Sequence, residues 1–287
     1  RFQSKFKTIK IIGQGEYGCV FEAENKLDKW RYAVKRIPLR ARPKDIEIAM
    51  REVTAMASFN HPGIVTYKKS WREEPPAGWQ EQVRRNRVKN HCEHFKFIYK
   101  DDSKFLYIQM ELCDFTLVDW LKGNAQRDLS RMKSWFKQIV SAVAYIHERG
   151  KIHRDLKPSN ILFASEDQLK ICDLGIVADR AIKDGQEIAM SRTMDKGTAM
   201  YMAPEQSGWS EYSAKVDIFA LGLILAQMCV PLFEDAAEEA FENYRRGKPN
   251  DILRLLPDVE SFVAWLTNPT DTERPECKQI LEHTFLA

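Results

Sequence analysis

No Cys-x-x-Cys pair occurs in the 287 residues, and the six cysteines (Cys19, Cys92, Cys113, Cys172, Cys229, Cys277) stand apart from one another. That scatter argues against a zinc site and a disulfide framework, and for a reducing compartment. An excess of one charge is also missing. Lysine and arginine total 44 against 41 aspartates and glutamates, a net +3, too little to argue for nucleic acid or a membrane surface as a partner. The densest basic run, Arg84-Arg85-Asn86-Arg87-Val88-Lys89, falls in an expected loop and reads as solvated. The longest apolar run, Ile218 to Phe233, is broken by Gln227 and Pro231 and reads as a buried core helix, not a membrane span. No signal peptide precedes Arg1, so an excised domain is expected, with any anchor of its parent lying outside it. What is there is 44% hydrophobic and 30% charged, a well-cored chain long enough for one large domain or two lobes around a cleft.

The chain is organised around Ile152-His-Arg-Asp-Leu-Lys-Pro-Ser-Asn160. Phosphoryl transfer needs a carboxylate beside the attacking hydroxyl, which Asp155 supplies, and a cation near the transferring phosphate, which Lys157 supplies. It also needs a side-chain oxygen for a metal ion a short loop away, a role for Asn160. Asp, Pro, Ser and Asn also favour ordinary turns, so the flanking sequence has to decide.

It does so in order. Gly13-Gln-Gly15-Glu-Tyr-Gly18-Cys-Val20 follows Ile9–Ile12 and runs into another strand-like stretch. Dinucleotide-binding folds place a helix directly after such glycines, so a phosphate-covering hairpin fits better, with Ile12, Gly13, Gly15, Gly18 and Val20 as contacts. Tyr32-Ala33-Val34-Lys35 reads as a strand whose Ala33 and Lys35 meet the nucleotide. Helical periodicity over Asp45–Ser58 places Glu52 among apolar neighbours, where a half-buried carboxylate needs a partner, and Lys35 is the obvious one. The polar stretch 73–103 reads as an insert. Phe105 to Met110 resumes as a strand; Met110 should guard the back of a pocket and Glu111-Leu112-Cys113 should turn backbone groups toward a base. Met132, Trp135, Phe136, Ile139, Val140, Val143, Ile146 and His147 form a helical stripe with Ser130 as its expected N-cap. A hairpin around Glu166-Asp167 should bring Asp173, in Asp173-Leu174-Gly175, back beside Asp155 and Asn160. Ala203-Pro-Glu205 follows, with Arg274 a partner for Glu205 and Asp217 expected to be buried at a helix start, both in structural roles.

Together these motifs resemble a protein kinase over nearly the whole length. The stretches His61-Pro-Gly-Ile-Val65, Trp71-Arg-Glu-Glu-Pro-Pro-Ala-Gly-Trp79, Tyr201-Met-Ala-Pro-Glu-Gln206 and Val216-Asp-Ile-Phe-Ala-Leu-Gly resemble the kinases of the translation initiation factor 2 alpha subunit, nearest their endoplasmic reticulum branch. The resemblance implies an α+β, two-lobed fold. Residues 1–112 would be a small, mainly antiparallel β lobe with one helix and the 73–103 insert, and residues 113–287 a larger, mainly α lobe. It implies ATP and Mg2+, with Asp155, Lys157, Lys35 and Glu52 catalytic and Asn160 and Asp173 on the metal. Thr193 and Thr198 would be phosphorylated. The substrate would be a serine of that alpha subunit, docking near Ala236–Arg246, so that the enzyme inhibits translation initiation under stress. A back-to-back homodimer through the small lobe is implied, with no direct nucleic-acid or membrane contact by this cytoplasmic domain, whose parent could be anchored in the endoplasmic reticulum. Two departures stand out: the exit Cys113-Asp114-Phe115-Thr116-Leu117 lacks glycine, and Arg1 and Lys5 stand where the family's dimer contact has an Arg–Asp pair. The alternatives are a serine/threonine kinase of another substrate, such as a cell-cycle regulator, and a nucleotide-binding pseudokinase scaffold.

Overall fold

The computed structural model describes residues 2–15, 18–39, 43–74, 104–174, 178–179, 199–207, 213–232, 234–248 and 251–287. The chain forms two compact units, Arg1–Phe59 with Thr66–Leu112, and Asn60–Val65 with Cys113–Ala287.

The first unit is a five-stranded antiparallel sheet in the order β1-β2-β3-β5-β4. Its strands are β1 (Phe6–Gly15), β2 (Gly18–Asn25), β3 (Arg31–Leu39), β4 (Tyr67–Glu73) and β5 (Lys104–Glu111). All of Phe105 to Met110 is buried, because β5 lies between two strands and is covered on both faces, so it shows no polar alternation. Part of that cover is aromatic: Trp71 lies between Phe6 and Tyr107 at 5.9 and 5.3 Å, and Phe2 stacks on Tyr107 at 5.1 Å. Phe2 belongs to α1 (Phe2–Lys5), a single turn too short to hold itself. Glu73 supports it by accepting the Phe2 N–H at 2.8 Å and the Trp71 indole N–H at 3.0 Å. Helix α2 (Pro43–Ser58) starts at Pro43, earlier than its periodicity suggests, since proline suits the first helical turn. Ala49, Val53 and Met56 are its buried stripe. The insert from 75 onward, Trp79 included, lies outside the described residues.

In the second unit, the two-residue strand β6 (Phe115–Thr116) runs into α3 (Leu117–Gly123), which Thr116 caps, and α4 (Leu129–Glu148) carries the expected stripe. The α4 cap is Asp128, not Ser130: its carboxylate accepts the N–H groups of Ser130 and Arg131 at 3.0 and 3.4 Å. Both residues are good caps, and starting at Leu129 leaves only Asp128 in the capping position. Residues 60–65 belong here because Gly63 and Val65 exchange backbone hydrogen bonds with Ile171, while Asn60 N–H donates to the Tyr145 hydroxyl.

Helix α5 (Lys215–Cys229) is buried on every side except at Lys215 and Gln227, which accounts for the apolar run without a membrane. Gln227 Oε1 accepts the Tyr201 hydroxyl at 2.5 Å. At Gly222 a Cβ would lie 2.5 Å from Thr267 Cγ2, so only glycine lets α7 (Pro257–Leu266), which follows α6 (Glu234–Arg245), pack this closely. No helix among the described residues is long and apolar enough to cross a membrane.

Arg274 ties this unit together. Its guanidinium meets Glu205 at 2.6 and 2.9 Å, donates to the carbonyls of Asn268 and Lys215 at 2.7 and 3.0 Å, and lies 4.9 Å from the Phe219 ring centre. Its side chain is fully buried. Lysine cannot reproduce this planar fork, so Arg274→Lys is expected to cost about 3 kcal/mol of stability, read from the urea unfolding midpoint. An unchanged midpoint would show that the network is dispensable.

Candidate functional site

In the first unit, β1 and β2 form a tight hairpin with Gly13 opposite Val20 and Gly15 opposite Gly18. Gly18 has φ +141°, and a Cβ there would sit 2.1 Å from the Arg36 carbonyl oxygen. Only glycine allows β3 to approach so closely. Residues opposite one another in antiparallel strands share a face. Val20 faces Lys35, Lys35 faces Ile108 and Ala33 faces Met110, so these five side chains line one face of the sheet. Ile12 is partly exposed, whereas Ala33 and Met110 are buried. Glu52 lies in α2, but its side chain lies outside what is described. Glu111 remains in β5; its N–H donates to the Thr66 carbonyl at 3.0 Å and its carboxylate accepts the Thr66 N–H at 2.5 Å. Cys113, half-buried, opens the second unit's longer segment.

In the second unit, α4 leads to β7 (Lys151–Ile152), and the loop after it converges on Asp155. Lys157 Nζ lies 3.0 Å from Asp155 Oδ2, and the Asn160 amide donates to the same oxygen at 3.1 Å and to the Asp155 carbonyl at 2.8 Å. Both side-chain contacts fall on Oδ2, which leaves Oδ1 turned elsewhere. Strands β8 (Ile161–Ser165) and β9 (Gln168–Ile171) form the expected hairpin, with Ile161 opposite Ile171. Just beyond it the Cys172 N–H donates to the Asn160 carbonyl at 2.9 Å, and His153 Nε2 meets the Cys172 carbonyl at 3.1 Å. The hairpin thus brings the residue before Asp173 onto the loop that holds Asp155. Asp173 sits at φ +60°, and Leu174 is buried beside it. Strand β10 (Ala178–Asp179) returns to pair with β7. Gly175, Thr193 and Thr198 lie outside the described residues.

The loop is held from beneath by Asp217, whose carboxylate accepts the N–H groups of His153 and Arg154, each at 2.8 Å, and meets His147 Nε2 at 2.8 Å. Arg154 has φ +72°, an uncommon conformation for a side chain-bearing residue that surrounding contacts must maintain. Burial alone would raise the Asp217 pKa. The hydrogen bond from His147, the charges of His147 and His153 and the His153 N–H outweigh it and hold the carboxyl below its usual range. On the far side of the imidazole, His147 Nδ1 faces the Cys277 thiol at 3.6 Å. Sequence patterning marked Asp217 as buried at a helix start where it could accept backbone N–H groups, but not that those groups belong to His153 and Arg154, since any residue supplies a main-chain N–H.

Asn160 and Asp173 carry oxygen donors of the kind a divalent cation takes: with its nitrogen turned onto Asp155, Asn160 has Oδ1 on the opposite side of the amide, and Asp173 follows the β8–β9 hairpin two residues past Ile171. Two hard oxygen donors suit an ion that completes its shell with water and phosphate oxygens. Among the described residues no cluster of three His, Cys, Asp or Glu side chains could hold a metal alone.

The protein kinase domain model matches residues 6–286. The mouse interferon-induced, double-stranded RNA-activated protein kinase is 37% identical over 98% of this chain and 51% of its own length. The eIF-2-alpha kinase GCN2 of Arabidopsis thaliana is 30% identical over 99% of this chain and 25% of its own. The eukaryotic translation initiation factor 2-alpha kinase pek-1 of Caenorhabditis elegans is 23% identical over 100% and 44%. The chain spans about half the length of the first of these relatives. A lysine two residues after Asp155 is the serine/threonine form of the loop, such domains use ATP and a divalent metal, and on this evidence the chain belongs to the protein kinase domain family, within its serine/threonine branch.

Proposed function

We propose that this domain transfers the γ-phosphate of ATP, with Mg2+, to a serine of the translation initiation factor 2 alpha subunit, and so restrains translation initiation under stress. The observation that carries the chemistry is the seating of Lys157 and Asn160 on one oxygen of Asp155. Oδ1 is then the acceptor for the substrate hydroxyl, and Lys157 is placed for the charge that develops on the transferred group. Lys35 grips the phosphates and pairs with Glu52, while Asn160 and Asp173 hold the metal. The glycine hairpin covers the phosphates, and Met110, Glu111 and Cys113 border the base. The substrate is supported by the names of the relatives. Identity is higher to the double-stranded RNA-activated kinases than to pek-1, so the reading concerns that group of kinases and not one branch. A homodimer through the first unit, a cytoplasmic site of action and an endoplasmic reticulum anchor on the parent belong to the same proposal. The test is transfer of labelled phosphate from Mg–ATP to the purified alpha subunit, with its target serine replaced by alanine as control. Equal labelling of both proteins, or none of either, would refute the assignment.

Thr193 is proposed as the activating phosphorylation site and Thr198 as mainly structural, bonding Asp155 and Lys157. A phosphothreonine adds nearly two negative charges and strong acceptors for Arg154. Thr193→Ala is expected to lower activity in a way that higher protein concentration restores only in part, while Thr198→Ala should be nearly inactive whatever its phosphorylation state. Full activity of Thr193→Ala after incubation with ATP would sink this division of labour.

A further inference from the structure

In the second unit, residues 60–65 form a turn whose shape depends on one imidazole. His61 Nδ1 accepts the Gly63 N–H at 3.0 Å, and the His61 carbonyl accepts the Ile64 N–H at 3.0 Å. An Nδ1 that accepts a main-chain N–H carries no proton, so the ring's proton is on Nε2, 3.4 Å from the Ser141 hydroxyl on α4. The Tyr145 ring, also on α4, lies 4.9 Å from the imidazole, and its hydroxyl takes the Asn60 N–H at 2.9 Å. Gly63 is buried, so its N–H needs an acceptor within the protein. It is also hemmed in: a Cβ there would lie 2.9 Å from Ala142 Cβ and 3.2 Å from His61 Nδ1. The turn then passes its geometry on. The Gly63 carbonyl accepts the Ile171 N–H at 2.8 Å and the Val65 N–H donates to the Ile171 carbonyl at 3.0 Å, which sets Ile64 and Ile171 side by side in a parallel bridge. Ile171 ends β9, and Asp173 stands two residues further on at φ +60°.

We propose that neutral His61 is a positioning residue for Asp173, and that a proton on its Nδ1 releases the turn and weakens Mg–ATP binding in mildly acidic solution. This rests on the phosphoryl-transfer reading above. Protonation sets N–H against N–H, so Gly63 loses its acceptor, and Ala142 blocks its retreat toward α4. Among the described residues, the titratable groups around the ring are Tyr145 and Glu148 of α4 and Arg149, which caps it. Burial holds the His61 pKa below the ordinary histidine value, the Arg149 charge lowers it further, and the Glu148 charge opposes both. Because the folded value is depressed, the bond's contribution is fully present above the ordinary histidine pKa, about 6.5, and is lost as pH falls through the lower folded value.

The test compares wild type with His61→Asn and His61→Ala. Asparagine does not titrate, and its side-chain oxygen can take the N–H two residues on. Between about pH 7.5 and about pH 5.5, the Mg2+ concentration for half-maximal ATP binding should rise about tenfold more in wild type than in His61→Asn. The change in His61→Asn measures the titration of the nucleotide itself. His61→Ala, with no acceptor, should need the higher Mg2+ concentration at both pH values. Equal pH responses in wild type and His61→Asn would overturn the proposal. Hydrogen exchange reads the turn independently of activity: the Gly63 and Ile171 amides of wild type should exchange faster than those of His61→Asn at the lower pH only. Equal exchange there would refute the switch, and faster exchange with an unchanged Mg2+ requirement would show that the turn does not position Asp173. A wild type that binds Mg–ATP normally but transfers phosphate to nothing would overturn the phosphoryl-transfer reading and leave the exchange result to decide the switch.

Discussion

Asp155→Asn is expected to abolish phosphate transfer while leaving Mg–ATP binding close to wild type, whereas Asp173→Ala should abolish transfer and weaken Mg–ATP binding as well. The substitution at 155 is nearly isosteric, and its neighbours dictate how the amide sits. Lys157 Nζ and the Asn160 amide both donate to the Oδ2 position, so an asparagine must place its oxygen there. Its nitrogen then occupies the place of Oδ1. A donor stands where the hydroxyl proton needs an acceptor, and loss of a general base of this kind costs about 100- to 10,000-fold in rate. The loop itself should persist, because its main-chain contacts run through Asp217 and the Asn160–Cys172 bond. Asp173→Ala differs on two counts. It removes an oxygen from the proposed metal site, where a divalent cation would offset the charge of the nucleotide's phosphates, so nucleotide affinity should fall too. It also leaves a residue less tolerant than aspartate at φ +60°. Calorimetric titration of each variant with Mg–ATP, beside a transfer assay, tests the pair; equal loss of ATP affinity in both would contradict the roles assigned.

What the sequence disclosed of this site follows from what the chemistry constrains. Transfer fixes side-chain identities at fixed spacings, so Asp155, Lys157, Asn160 and Asp173 could be named as candidates from the sequence; the structure seats Lys157 and Asn160 on Asp155 and forms the expected hairpin. The stripe from Met132 to His147 was legible because one helix face is buried. Boundaries were less so. Ser130 and Asp128 are equally good caps, and only the first turn of α4 decides between them. Glu111 reads as the end of a strand or the start of a turn until Thr66 takes both its N–H and its carboxylate. The least legible features are side chains whose partners are main-chain atoms. His61 and Asp217 reach for N–H groups, and every residue offers those, so no pattern in the sequence records the pairing. The pairing of Glu205 with Arg274 was legible for the opposite reason, since each needs a partner of opposite charge once buried.

Asp217→Asn is expected to destabilise the protein by about 3 kcal/mol near neutral pH and to reduce activity beyond what the lost folded fraction explains. Asp217 is buried, and its two oxygens receive three donors: the N–H groups of His153 and Arg154 and the His147 imidazole. Asparagine offers one oxygen and a second group that donates, so at least one donor on the loop is left facing another donor. That loss falls where the backbone is already in an uncommon conformation, at Arg154, immediately before Asp155. The loop can then relax and displace the carboxylate proposed as the base, lowering kcat, whereas the nucleotide contacts proposed for the first unit should be unaffected. The pH dependence has a definite sign. The Asp217 pKa is depressed in the folded protein, so its contribution is fully present above the ordinary aspartate pKa, about 3.9, and is lost as pH falls through the lower folded value. The stability gap between wild type and Asp217→Asn should accordingly be constant from neutral pH down to about pH 5 and close progressively below about pH 4. Urea unfolding of both proteins across that range measures it. A gap that widened on acidification, or an Asp217→Asn protein with full kcat, would show that the carboxylate does not hold the loop in the way its contacts indicate.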